Sequence, residues 1–244
     1  MEKRTSPLTQ LRSHGAYSPD KALAHPSRME LLRVGKQPYP VHVQMIVSDL
    51  CNLGCPGCAY RMEDYSSNQL FGVKDPITSI VNNNPNRMLE PALVEKVLDD
   101  CVEMGVKAVQ FTGGGEPTVH PNIVDFLVGA QRRGLKTALI TNGLLLHAKK
   151  GLLEAAVNCQ WVRISIDAAS PEVFGQVRPG LGGPRGEQLF VALKNLAALR
   201  RLREKRGADC TIGAGFVVQK ENWHEMLEAA WLYRDAGAAN VRFS

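Results

Sequence analysis

Cys51, Cys55 and Cys58 are three thiols within eight residues, spaced C-x3-C-x2-C. No fourth cysteine lies nearby to complete a four-thiolate site. Three thiolates on one tight loop suit a cubane iron–sulfur cluster with one iron left open. An open metal position marks a site that binds a substrate rather than one that only holds a fold. A zinc site would need a fourth ligand, and His42 is the candidate for it. Gly54, Pro56 and Gly57 supply the bends that bring three side chains round one centre.

The segments around this loop must position it. Residues 41–48 are a β-branched apolar run and read as a first strand, with the cysteine loop at its C-terminal end. Ligand sites in parallel α/β folds gather outside that end of the strands. Further strands are predicted at 108–112, 136–141, 161–166, 210–218 and 240–244. Helices are predicted at 89–104, 122–133, 148–157, 187–205 and 223–236. Such alternation with short turns implies parallel strands joined by right-handed helical crossovers. In the first of these helices the inward stripe reads as Leu93, Val97, Cys101 and Met104, and in the second as Ile123, Phe126, Leu127 and Ala130. Residues 1–40 are polar, basic and proline-rich, and read as an N-terminal extension with a short helix near 28–34. Residues 41–244 read as one domain with an insertion at 62–88, a stretch long enough to act as a lid or substrate-facing segment.

Bulk properties exclude several classes. No run of about 18 apolar residues marks a membrane span, and residues 1–10 lack the apolar stretch of a secretory signal. Cys101, Cys159 and Cys210 are too scattered for a disulfide framework, which favours a reducing, cytoplasmic setting. The net charge of +5 permits an anionic partner but does not indicate nucleic acid. The basic end of the long helix, Arg200 to Arg206, reads as a solvated face matched to the helix dipole.

A second constellation is Gly113-Gly114-Gly115-Glu116-Pro117. A glycine run lets backbone approach a ligand closely, with Glu116 as a nearby carboxylate. A tight turn with Glu116 exposed is the plain alternative. A phosphate loop is not indicated, because no Gly-Lys-Ser/Thr follows.

The cysteine spacing after a first strand, followed by Gly-Gly-Glu-Pro after a second, resembles the radical S-adenosylmethionine (radical SAM) superfamily over residues 41–244. The resemblance implies a partial (β/α)6 barrel of parallel strands, with the chain ending at the sixth. It implies that Cys51, Cys55 and Cys58 hold a 4Fe–4S cluster whose open iron chelates S-adenosylmethionine. Reductive cleavage would yield a 5′-deoxyadenosyl radical that abstracts hydrogen from a substrate. The electron would come from a flavodoxin- or ferredoxin-like donor. Gly114, Gly115 and Glu116 would meet the methionyl ammonium. Ser165 and Asp167, expected on one side of the fourth strand by alternation, would meet ribose hydroxyls or the carboxylate. Arg178 would pair with the carboxylate, Asn142 would face the ligand, and Val217 would pack on adenine.

Each of these residues also has a plain reading. Asp167 suits a turn or cap, Arg178 a solvated surface, Asn142-Gly143 a turn pair, and Val217 an ordinary strand. His120 reads as a capping or surface group. Gly57 departs from the family habit of an aromatic residue before the third cysteine. The C-N-L-x-C opening and the Ser-Ile-Asp strand resemble members that modify peptides or proteins and members that build cofactors. A non-catalytic iron–sulfur or zinc protein, serving electron transfer or structure, is the alternative. It would leave the glycine turn without a task.

Overall fold

The computed structural model describes residues 24–61 and 88–244. The strands are β1 (His42–Ile46), β2 (Ala108–Thr112), β3 (Lys136–Thr141), β4 (Trp161–Ser165), β5 (Thr211–Phe216) and β6 (Asn240–Phe243). They form one sheet, every neighbouring pair is parallel, and spatial order equals chain order. Parallel neighbours need crossovers, and right-handed crossovers taken in sequence place all helices on one face. The helices are α1 (Pro26–Arg33), α2 (Pro91–Glu103), α3 (Ile123–Arg132), α4 (Leu152–Val157), α5 (Pro171–Val177), α6 (Gln188–Arg206) and α7 (Met226–Ala236). From α2 to α4, then α6 and α7, each touches the next. The architecture is an open, partial (β/α)6 barrel.

The core lies between sheet and helices. Val109, Phe111, Leu139, Val162, Ile164, Ile212 and Phe216 are fully buried against Leu98, Phe126, Leu127, Leu196 and Leu199. Alternate strand positions face the other side, where Gln110, Arg163 and Ser165 are polar among smaller and apolar neighbours such as Ala138, Ile140 and Gly215. The loop-bearing rim at the C-terminal strand ends is therefore anchored by an apolar layer beneath it.

Local chemistry explains where the elements differ from expectation. The inward stripe of α2 is Val94, Leu98 and Cys101, whereas Leu93 is 48% exposed. The helix carries two overlapping apolar stripes, and packing against the sheet selected between them. The predicted 148–157 helix is shortened to α4, because Gly151 takes a left-handed φ of 81° at its start. Helix α5 lies where the sequence pattern predicts only a loop. It is seven residues long with Gly175 inside, too short for a periodic signal, and it forms because Ser170 Oγ accepts the Val173 N–H (3.3 Å) ahead of Pro171 at N1. In the N-terminal segment, Arg28 donates to Met104 O at the end of α2 (3.0 Å). The predicted insertion lies outside the described residues except for Met88, which bridges to Ser48. Among the described residues no helix is long and apolar enough to cross a membrane.

His120 is a core residue, not a surface group, at 2% exposure. Its Nδ1 accepts the Asn122 N–H (3.1 Å), so Nε2–H donates to Leu89 O (3.0 Å). The neutral ring satisfies both partners, and a proton on Nδ1 would break the Asn122 bond. Burial pushes its pKa below the ordinary 6.5, with Lys149 adding to the effect against the Leu89 bond. A base with a depressed folded pKa contributes stability that is present above its unfolded pKa and lost as pH falls below it. The melting temperature should therefore fall on acidification from pH 7 through about 6.5. In His120→Gln that fall should be shallower over the same window, as read by thermal denaturation across pH.

Candidate active site

The cysteine loop leaves β1 through residues 47–50, and the glycine turn after β2 holds this stem. Gly115 N–H donates to Ser48 O and Glu116 N–H to Leu50 O, both at 2.8 Å. A Cβ on Gly114 would lie 2.5 Å from Asp49 Oδ1, and one on Gly115 would overlap the Leu50 carbonyl. Gly115 is thus required by the close approach of the stem backbone, whereas a side chain at Gly114 would have to displace Asp49. On the loop's other side, Gly54 N–H donates to Pro179 O (2.7 Å), and the buried Leu53 bridges to Gly180. The loop is clamped between the end of β2 and the segment after α5.

Glu116 turns inward instead of toward solvent or ligand, at 3% exposure. Its Oε1 accepts Thr118 N–H (3.0 Å), Thr118 Oγ1–H (2.6 Å) and Thr141 Oγ1–H (2.6 Å). Its Oε2 accepts the Asn142 N–H (2.7 Å). A buried carboxylate is tolerated only when its lone pairs are used, and here two donors come from Thr118 in the turn that follows Glu116 and two from the end of β3. Asn142 is likewise buried, and its Nδ2 donates to Asn52 Oδ1 inside the cysteine loop (2.7 Å). Both residues therefore act on the loop's geometry.

On the opposite side, Asp167 takes a left-handed φ of 61°. Strand β4 has ended by then, so alternation no longer pairs Asp167 with Ser165. This non-glycine conformation is uncommon and clusters at sites where structure over-determines it. Asp167 Oδ2 accepts both Nε (2.8 Å) and Nη2 (2.7 Å) of Arg178. Its Oδ1 accepts the Val217 N–H (2.8 Å). Both side chains are buried, at 6% and 11% exposure, so Arg178 is not a solvated surface arginine. Ser165 is half-buried beside Gly215 on the polar face of the sheet. Val217 lies just past β5 and is 45% exposed, unlike a core strand position.

Several contributors carry no sequence signal of their own. Asn222, fully buried, donates to Asp167 O and Val217 O (2.9 Å each). Glu225 Oε2 accepts the Ala169 N–H (2.6 Å), and the Tyr233 hydroxyl donates to Ala168 O (2.7 Å). Together these brace the turn that carries Asp167. Gln219 lies against Gly57: a Cβ there would meet Gln219 Oε1, the movable end of that side chain, at 2.5 Å. The space beside the third cysteine is taken from outside the loop by an amide.

The donor set fits an iron–sulfur cluster. Cys51, Cys55 and Cys58 are half-buried at the C-terminal strand rim. Burial pushes the Cys55 thiol up, while the neighbouring Arg178 guanidinium pulls it down. Among the described residues no three His, Cys, Asp or Glu side chains converge on a single ion. A cubane takes each thiolate on a separate iron and needs no such convergence. His42 begins β1 while the loop leaves its other end, and a strand rises about 3.3 Å per residue. The two lie at opposite rims, which removes His42 as a fourth ligand.

The sequence matches the model of the radical SAM superfamily over residues 45–231. The PqqA peptide cyclase of Gluconobacter oxydans is 33% identical over 205 residues, covering 84% of this chain and 49% of that protein. The mycofactocin maturase MftC of Mycobacterium ulcerans is 30% identical over 159 residues, covering 65% and 37% respectively. Among solved structures, Streptococcus suis SuiB bound to S-adenosylmethionine superposes with a TM-score of 0.61 at 17% identity, covering 100% of this chain and 45% of that one. That likeness speaks for the fold. The chain spans half or less of the length of these relatives.

Asp167→Asn tests the rim's second carboxylate. Asparagine tolerates the left-handed backbone as aspartate does, so the change removes charge without adding strain. It strands a buried guanidinium, and unfolding by urea should show a loss of about 3–5 kcal/mol. Adding Arg178→Met should recover part of that loss.

Proposed function

Because this chain belongs to the radical SAM superfamily, we propose that it is the core of an enzyme that holds a 4Fe–4S cluster on Cys51, Cys55 and Cys58 and uses S-adenosylmethionine to oxidise a peptide substrate. The observation that carries this reading is the clamped three-thiol loop at the C-terminal rim of a six-stranded parallel barrel, with no fourth thiol beside it. When bound, the cluster and S-adenosylmethionine would supply a 5′-deoxyadenosyl radical by one-electron cleavage of the sulfonium. The chain's own residues position and shield that chemistry.

Arg178 keeps a positive charge beside Cys55, and the donors it does not give to Asp167 remain for a ligand carboxylate. Ser165 offers a hydroxyl on the polar face, and Val217 an exposed apolar surface for a base. Gly114 and Gly115 bring backbone to the ammonium, a role their lack of side chains permits. Glu116, Asn142 and Asp167 hold these groups in register. Residues 41–244 form the core in this reading, and residues 1–40 an extension to it. A peptide substrate is supported by relatives named PqqA peptide cyclase, and the maturase MftC agrees with a role in building a cofactor from a precursor. A flavodoxin- or ferredoxin-like protein in a reducing cytoplasm is the fitting electron donor.

Anaerobic reconstitution tests the reading. Iron and sulfide should be taken up in equal amounts, and dithionite should then drive 5′-deoxyadenosine formation from S-adenosylmethionine. Cys55→Ala should lose the cluster absorbance and that product together. A parent protein that carries the cluster yet forms no 5′-deoxyadenosine above background would point instead to electron transfer or structure.

A further inference from the structure

The face of the sheet turned away from the helices carries one sign of charge. Lys136, Arg163 and Arg242 stand at its inward positions, and none of the six strands contains an aspartate or glutamate. Two of these cations flank the same glycine. Val162 and Ile164 are fully buried in the core, so Arg163 between them faces inward. A Cβ on Gly215 would lie 3.5 Å from Arg163 Cδ. The Arg163 guanidinium carbon sits 5.5 Å from the centre of the Trp161 ring, which supports that side chain. On the other side of Gly215, Arg242 is its register partner on β6. Val241 packs on the core and the Phe243 ring lies 5.4 Å from that of Phe216, so Arg242 also turns inward. Among the described residues no carboxylate pairs with Arg242. Two amides on the same face are short of partners. Gln110 on β2 is 6% exposed between the core residues Val109 and Phe111, and no described group hydrogen-bonds its side chain. Asn240 stands opposite Gly213, and its Oδ1 is buried with no partner. Buried polar groups are ordinarily satisfied, so two left open on one face point to a ligand that completes them.

We propose that Arg163 and Arg242 form a carboxylate subsite inside the barrel, and that the peptide substrate presents an aspartate or glutamate side chain to it. The inference rests on the reading of a peptide as the substrate. Neighbouring strands lie about 4.8 Å apart, so two arginines separated by β5 leave a gap on the order of 10 Å over bare glycine backbone. A carboxylate fits between guanidinium groups so spaced and accepts paired N–H donors from them. With no acid on this face to compete, the charge of the pair is left for the ligand. Gln110 and Asn240 serve the amide groups of the same peptide segment.

The test presents the full chain, reconstituted anaerobically and immobilised, with a synthetic library of short random peptides, and the retained peptides are sequenced by mass spectrometry. Aspartate and glutamate should be enriched about fivefold over the input, and Arg242→Gln should cut that to about twofold or less. Arg163→Gln with Arg242→Gln should abolish the enrichment, whereas Arg242→Lys, which keeps the charge, should retain part of it. Arg201→Gln with Arg206→Gln removes the same charge from exposed positions on α6 and should leave the enrichment intact. Equal loss in that control would reveal general charge attraction and overturn the subsite. An unchanged preference in Arg242→Gln overturns it too, and this exposed edge position decides if Arg163→Gln does not fold. Weaker S-adenosylmethionine binding with unchanged peptide preference would assign the arginines to the cofactor and likewise overturn the proposal. A parent that retains peptides without acidic preference overturns the subsite alone, and one that retains no peptide overturns the peptide reading as well. Iron uptake by the same preparation is scored separately, and its absence overturns the cluster reading.

Discussion

The rim of this barrel depends on a buried carboxylate. Glu116 accepts four hydrogen bonds, two from Thr118 in its own turn and two from Thr141 and Asn142 at the end of β3. A charge so placed would be prohibitive without those partners, so the strand ends and the carboxylate hold one another in place. Its influence passes outward through Asn142 to Asn52, and from there to the loop that carries the three thiols. The backbone N–H of Glu116 also binds that loop's stem, so one residue grips the loop twice.

The opposite side of the rim repeats the principle with different residues. Strand ends in a parallel sheet leave N–H groups without ladder partners, and buried N–H groups must find acceptors. Asp167 takes the Val217 N–H, and Glu225 takes those of Ala169 and Ser170. Arg178 balances Asp167 and brings a cation beside Cys55. The two buried acids Glu116 and Asp167 therefore flank the cysteine loop. One is satisfied by neutral donors, while the other is satisfied by an arginine that still has hydrogen bonds to give.

Gly57 and Gln219 show how a departure in a local motif is absorbed by a distant segment. The Gln219 backbone is set by Asn222, whose Oδ1 accepts its N–H at 2.6 Å. Asn222 also bonds the carbonyl of Asp167. The amide that covers Gly57 is thus positioned by the same turn that positions the Asp167–Arg178 pair.

The sequence by itself determined the alternation of strands and helices, the parallel order, the cysteine loop at a strand end and the glycine turn after β2. Hydrophobic period, glycine positions and cysteine spacing are all local properties, readable a few residues at a time. The α3 stripe of Ile123, Phe126, Leu127 and Ala130 was legible for that reason. Tertiary structure alone decided which of two stripes on α2 faces inward. It also decided where the acids point. Glu116 meets Thr141 across 25 residues, Asp167 meets Val217 across 50, and Asn142 meets Asn52 across 90. A carboxylate's type is written in the chain, but its task is set by the donors around it. Those donors arrive only when the sheet brings distant strand ends together.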